Sequence, residues 1–180
     1  MTKPCGCPDA YPDWHKQDVD LGGQCVHVLP IPTFMHMPLA YSMYAKRQQQ
    51  IIDQLQLKER WSGFTMTQTG ILRGRIMRLL ESTESPARRI EYLPRPFHLH
   101  GFLHMGSVSN IRVPVHEMSM YLLEKGRRTQ ELYLSYLTCP ECRGEAQPDK
   151  ILLLRRWVES PALKKRADKE RSKRREKEAK

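Results

Sequence analysis

Gly70-Ile-Leu-Arg-Gly-Arg-Ile-Met-Arg-Leu-Leu-Glu81 is the stretch on which the architecture turns. Leu72, Ile76, Leu79 and Leu80 fall on one side of a helical repeat, and Thr69 stands where an N-cap would stand. The spacing predicts a helix from Thr69 to about Glu81. Read this way, it is the second of three helices. The first spans 38–59: Pro38 suits a first helical position, and Leu39, Met43, Ile51, Ile52 and Leu55 recur near helical spacing. Lys46, Arg47, Gln48 and Gln49 lie between them. The third spans about 111–125, capped by Ser109 or Asn110 and ended by Gly126.

Short strand candidates separate these helices: residues 64–68, Ile90 to Leu93, Phe97 to His104, and Glu131 to Leu137 with its alternating Leu132, Leu134 and Tyr136. Pro94-Arg95-Pro96 breaks the second from the third, and 82–88 reads as a loop. Ile151 to Val158 is either a final strand or the start of a tail helix. No repeat is visible in the sequence. The irregular alternation predicts an α+β domain, a small sheet covered by about three helices, over residues 1–162. Residues 163–180 form a basic tail, helical or disordered.

Residues 1–33 read as an irregular N-terminal arm, with Pro4, Pro8, Pro12, Pro30, Pro32 and the turn Gly22-Gly23; Cys25 to Leu29 is a short strand candidate. An arm this long in a compact domain needs a fastening. Trp14 is a candidate anchor, which would bring His15 near the cysteines.

The chain is long enough for one domain with a real core. Of its net +10 charge, the tail from Lys164 to Lys180 carries +6, with ten Lys/Arg and four Asp/Glu, so the body is only mildly basic. No stretch approaches the ~20 apolar residues of a membrane span. The N-terminus shows neither the apolar run of a secretory signal nor a transit-peptide pattern. The expected location is cytoplasmic, where thiols stay reduced, and five cysteines cannot all pair within one chain.

Two cysteine groups lie far apart: Cys5-Gly6-Cys7 with Cys25, and Cys139-Pro140-Glu141-Cys142 followed by Gly144. A CxxC on a tight turn brings two thiolates within ~4 Å, matching adjacent corners of a tetrahedral metal with bonds near ~2.3 Å. Cys139 to Gly144 resembles the knuckle of zinc ribbons and rubredoxin-like sites. A knuckle supplies two ligands, so the expected set is Cys7, Cys25, Cys139 and Cys142, with Cys5, His15 and His27 as substitutes. Zinc is the expected metal. Four thiolates also suit an iron–sulfur cluster, which is the alternative.

Phe97-His98-Leu99-His100-Gly101-Phe102-Leu103-His104 sets His98, His100 and His104 on one strand face. Two imidazoles so placed can share a catalytic metal, with His116 or Glu117 as further donors. The plainer reading is a half-exposed face of hydrogen-bonded histidines. Asp18-Val19-Asp20-Leu21-Gly22-Gly23 lacks the later ligands of a calcium loop and reads as a turn. Met35-His36-Met37 suggests copper only weakly, because methionine more often fills gaps. Gly70 to Arg75, at the start of the expected second helix, could offer amides and arginines to an anion, but ordinary packing with solvated arginines is the plainer reading.

In the tail, Lys164, Lys165, Arg166, Arg171, Lys173, Arg174 and Arg175 would attract nucleic acid or an acidic protein surface, without aromatic residues for base stacking. No nucleophile elbow, Ser-His-Asp context or kinase element is present. The leading expectation is therefore a metal-stabilised, cytoplasmic accessory or binding protein with a polyanion-attracting tail. A metalloenzyme built on the histidine strand and an iron–sulfur carrier are the alternatives. Whether the chain is an enzyme is left open.

Overall fold

The computed structural model describes residues 7, 8, 10–81, 89–138 and 148–178, with backbone alone at 171 and 173–178. The expected loop 82–88, Cys5, Cys139 and Cys142 lie outside the described residues. The elements run β1 (Asp18–Asp20), β2 (Cys25–Phe34), β3 (Met37–Pro38), α1 (Tyr41–Gln54), β4 (Met66–Gln68), β5 (Arg73–Leu79), β6 (Ile90–Tyr92), β7 (His98–Met105), α2 (Arg112–Glu124), β8 (Arg127–Tyr136), β9 (Lys150–Glu159) and α3 (Pro161–Glu178). They build one nine-stranded sheet in the order β1-β7-β9-β8-β4-β5-β2-β3, with β6 beside β2. Its pairings are antiparallel throughout.

The small sheet expected from the sequence is therefore a large one, and the stretch at 70–81 is the reason. It forms strand β5, not a helix. Ile76, Met77, Arg78, Leu79 and Leu80 are all buried, because β5 is covered on both faces. A strand buried on both sides reads as a continuous apolar run, which helical periodicity fits by accident. Gly74 is required there: a Cβ would sit 2.6 Å from the Gln68 carbonyl oxygen.

The third helix forms where expected, and the first is shorter than the expected 38–59, ending at Gln54. α1 starts later than Pro38, at Tyr41, after Ala40 in the left-handed region. The region 151–158 is strand β9, and β2 extends the short strand of the arm to ten residues. Pro30 and Pro32 fit β2 because alternate residues turn their amides to the same side. That side faces β6 and β3, which pair with β2 at Cys25–His27 and Thr33–Phe34 and leave the prolines between them: Thr33 N–H on the other side meets Leu72 O at 3.2 Å, whereas Pro32 O accepts from Leu39 N–H.

The topology contains a repeat that the residues conceal. β2-α1-β4-β5 and β7-α2-β8-β9 are both βαββ units whose first and last strands pair, with the middle strand on the far side of the last. The units join antiparallel through β4 and β8, Thr67 opposite Leu134. Their helices differ in chemistry. α2 buries Pro114, Met118 and Leu122, an i, i+4, i+8 stripe, whereas α1 buries Gln48 and Ile52.

Both helices cover one face, since Arg78, Ile76, Thr67 and Leu134 share a side through their cross-strand pairings. The opposite face carries the main core, with Val26, Met77, Leu79, Tyr133, Leu152 and Leu154, closed by Trp14, Leu21 and Phe64. Two ends result. At one, β2, β4 and β9 begin while β5, β8 and β7 finish. At the other lie the β2–β3 hairpin, the β4–β5 turn, the start of β8 and the departure of α3.

Candidate metal and polyanion sites

The first end gathers cysteine-bearing segments. Cys25 is the first residue of β2 and is buried. Cys7, also buried, lies against Gly63 just before β4; a Cβ there would sit 3.6 Å from Cys7 O and 3.2 Å from the Pro8 Cα. Burial raises the Tyr41 phenol above its ordinary value, its hydrogen bond with Thr65 at 2.7 Å pulls it back, and Cys7 adds a smaller upward push. Cys7 is thus close to the first residue of α1. The Tyr41 ring stands 5.0 Å from that of Tyr136, the last residue of β8, whose hydroxyl is pushed up to about 12 by burial and then by Tyr41. Tyr136 precedes Cys139 by three positions. Three strand steps, roughly 14 Å at ~4.8 Å each, separate β2 from β8. Among the described residues, no three His, Cys, Asp or Glu side chains form a metal-holding group. Cys5, Cys139 and Cys142 are not among those residues.

The two substitute histidines are engaged elsewhere. His27 shares a strand face with Cys25. Gln48 Nε2 donates to His27 O at 3.0 Å and to Ile76 O at 3.3 Å, and lies 3.1 Å from His27 Nδ1. His27 Nε2 is buried and has no hydrogen-bond partner among the described residues. Burial, followed by Arg89 and Arg78, lowers the His27 pKa, so the ring is neutral. Trp14 anchors the arm as expected, packing edge-on to Trp61 at 5.3 Å and Phe64 at 5.9 Å. It crosses β7 at Gly101, where a Cβ would lie 2.2 Å from Trp14 O. That path does not carry His15 to Cys25: His15 Nδ1 accepts from Leu103 N–H at 3.0 Å, on the far side of the sheet from β2.

The histidine strand forms as β7, with His98, His100 and His104 on the face of α2. Each imidazole has its own partner. His100 Nδ1 donates to Asp18 Oδ1 at 2.8 Å and stacks on Tyr121 at 4.7 Å. His98 stacks on Trp157 at 4.5 Å, 3.9 Å from Asp20. His104 Nε2 lies 3.3 Å from Ser107 O. Asp18 also accepts from Arg127 at 2.7 Å. Burial pushes the Asp18 carboxyl up, but Arg127 and His100 outweigh it and hold it below the ordinary value. Asp20 closes the turn before β2, accepting from Gly22 N at 2.8 Å and Phe97 N at 2.9 Å.

Sequence reasoning missed this Asp18–His100–Arg127 cluster, whose members come from three distant strands. The available signal was the Asp-x-Asp of residues 18–20 matching the His-x-His of 98–100. It also missed the buried Arg78–Glu59 pair at 2.8 Å beneath α1, to which Gln49 and Ala45 O add hydrogen bonds. The anion alternative at Gly70 to Arg75 loses its basis, because a strand and not a helix begins there.

The tail is the helix α3. Its first turns lie along α2, where Met120, Leu123, Leu163 and Ala167 line a groove of about 350 Å³ rimmed by Glu124, Arg166 and Glu170. Gly126, at φ +74°, admits it: a Cβ would sit 2.5 Å from the Lys164 Cα. Lys164, Lys165 and Arg166 are exposed. The side chains of Arg171, Lys173, Arg174 and Arg175 lie outside the described residues.

The architecture defines a class, a duplicated βαββ sheet with one helix per half on a common face. Two solved structures share it. The C-terminal domain of EcmrR aligns with a TM-score of 0.60 at 10% identity, covering 79% of this chain and 96% of that domain. EcmrR in its complex with DNA, in EcmrR-RPo, aligns at 0.54 and 10% identity, and there the match spans 57% of the neighbour's length. Such low identity establishes the fold alone. No known family pattern and no curated protein matches the sequence. Among the described residues, no helix is long and apolar enough to cross a membrane.

Proposed function

We propose that this protein is a cytoplasmic, metal-stabilised binding module whose N-terminal arm is locked to the end of β8 by one thiolate-held zinc, and whose helix α3 engages a polyanion. One observation carries the reading: Cys7, Cys25 and the strand leading to Cys139 occupy the same end of the sheet. Cys139 and Cys142, which lie outside the described residues, would supply the two further thiolates of a four-thiolate site. The arm crosses from one half of the repeat to the other, so a metal there would hold the halves in register with its binding free energy. Separate partners for the three β7 histidines favour a structural role for that face over metal catalysis.

α3 supplies the polyanion contact. Its inner side packs on α2, with Lys164 and Lys165 exposed and Arg166 exposed at the rim of the groove. The neighbour EcmrR is seen with DNA, and nucleic acid is the first polyanion to test here. The decisive experiment is thermal unfolding with and without a strong chelator, read with the visible spectrum. Zinc predicts a colourless protein with a much lower Tm after chelation. Visible absorption lost on Cys139→Ser would transfer the site to an iron–sulfur cluster. An unchanged Tm and a colourless protein would remove the metal from the account.

A further inference from the structure

The end of the sheet opposite the cysteines carries a surface that the metal does not explain. β2 and β3 meet in a two-residue hairpin, Phe34 opposite Met37. Its central residues, Met35 and His36, have φ of 47° and 67°. Hairpins of this kind are normally built with Asn-Gly, because bulky residues are strained at positive φ. Here that strain holds a methionine at the apex. The neighbouring turn is stitched to the hairpin, since Met35 N–H donates to Ile71 O at 2.9 Å and His36 N–H to Gly70 O at 3.2 Å.

The resulting tip presents Phe34, Met35, Met37, Leu39, Ile71 and Leu72, with Met35 69% and Leu72 67% exposed. Contiguous exposed apolar surface of this kind marks an interaction site. Neither 21–52 nor 60–80, the two segments that build the tip, contains a single Asp or Glu. Arg73 is exposed beside the turn, and the cationic α3 departs from the same end of the sheet.

We propose that this tip is a docking surface for an anionic lipid bilayer, into whose interface Phe34, Met35, Ile71 and Leu72 insert while Arg73 and α3 meet the headgroups. The partner must be apolar and negatively charged together. Two adjoining turn apices project their side chains outward, which suits a planar, deformable surface. A second copy in a symmetric contact would bring two carboxylate-free, cationic rims together. Apolar insertion and attraction to anionic headgroups add in such binding.

The test is sedimentation of the full chain with vesicles of phosphatidylcholine alone and of phosphatidylcholine mixed with phosphatidylglycerol. Phe34→Ser/Met35→Ser and Ile71→Ser/Leu72→Ser are compared with wild type, and folding is checked by circular dichroism. The expected result is wild-type binding to the mixed vesicles, little to the neutral ones, and at least about tenfold weaker binding by each variant. Three results would overturn the proposal: no wild-type binding, variants that bind as tightly as wild type through α3 alone, or a wild-type dimer that the variants abolish. The inference is independent of the metal site. Zinc content measured in the same samples should be equal in wild type and variants, so either reading can fail without the other.

Discussion

The two ends of the sheet are built on opposite principles. The cysteine end turns its chemistry inward: Cys7, Cys25, His27 and Arg78 are buried, the Glu59 side chain is 7% exposed, and Arg78 is held by Glu59 and Gln49 while His27 Nε2 has no partner among the described residues. The opposite end turns large apolar side chains outward on a strained hairpin, and the cationic helix α3 starts there and packs its first turns on α2. One end looks made to be closed and the other to be occupied. Burying polar groups is costly unless they are satisfied, and exposing apolar ones is costly unless a partner covers them. The contrast therefore separates what holds the fold from what the fold presents.

The largest effect that would break this contrast is loss of the thiolate clamp. Cys25→Ser or Cys139→Ser should cost several kcal/mol of stability, since a structural zinc contributes on the order of 10 kcal/mol in small metal-dependent domains. Chemical denaturation measures it, and Cys25→Ser with an unchanged midpoint would leave Cys25 as an ordinary core thiol. Next comes the buried ion pair. Glu59→Ala strands the Arg78 guanidinium, whose side chain is 3% exposed, and should cost about 3–5 kcal/mol. A loss below about 1 kcal/mol would mean that Gln49 and water satisfy Arg78 without it.

These two predictions differ in how legible their residues were. The cysteines announced themselves by spacing, and Trp14 as an anchor by being a large apolar residue in a polar arm. β7 and α2 were readable because a half-buried strand alternates and a surface helix carries a stripe. β5 was not, because burial on both faces erases alternation and leaves Ile76, Leu79 and Leu80 at spacings a helix shares. The duplication was hidden for a related reason: Gln48 does under α1 what Met118 does under α2, so the halves share topology without sharing residues. Nor was Glu59–Arg78 visible, since a charged pair reads as solvated surface until the strands are placed.

At the other end, Gly126→Ala should cost about 2–3 kcal/mol through its positive φ and the collision with Lys164. It should also loosen α3, raising protease cleavage after Lys164 and Lys165 while the body stays folded. Cleavage at the wild-type rate would show that α3 leaves the body by another route.

The smallest effects concern acid. Asp18 is held below the ordinary carboxylate value, so its stabilisation is complete above that value and is lost as pH falls through the lowered native one. His27 is buried and neutral with a lowered pKa, so its contribution begins to fall earlier, as pH drops through about 6.5 and the unfolded chain takes up the proton. Both slopes run the same way. Asp18→Asn should lower stability by roughly 1 kcal/mol at neutral pH, a figure kept small by partial exposure. It should also flatten the acid limb of the stability curve below about pH 4, and an unaltered limb would assign that limb to other carboxylates.

The most direct test of the clamp is elemental analysis of anaerobically purified full-length protein, set beside Cys7→Ser, Cys25→Ser and Cys139→Ser. The account predicts one zinc per wild-type chain and loss of most of it in each variant. Wild-type protein that is folded, colourless and free of metal would contradict it.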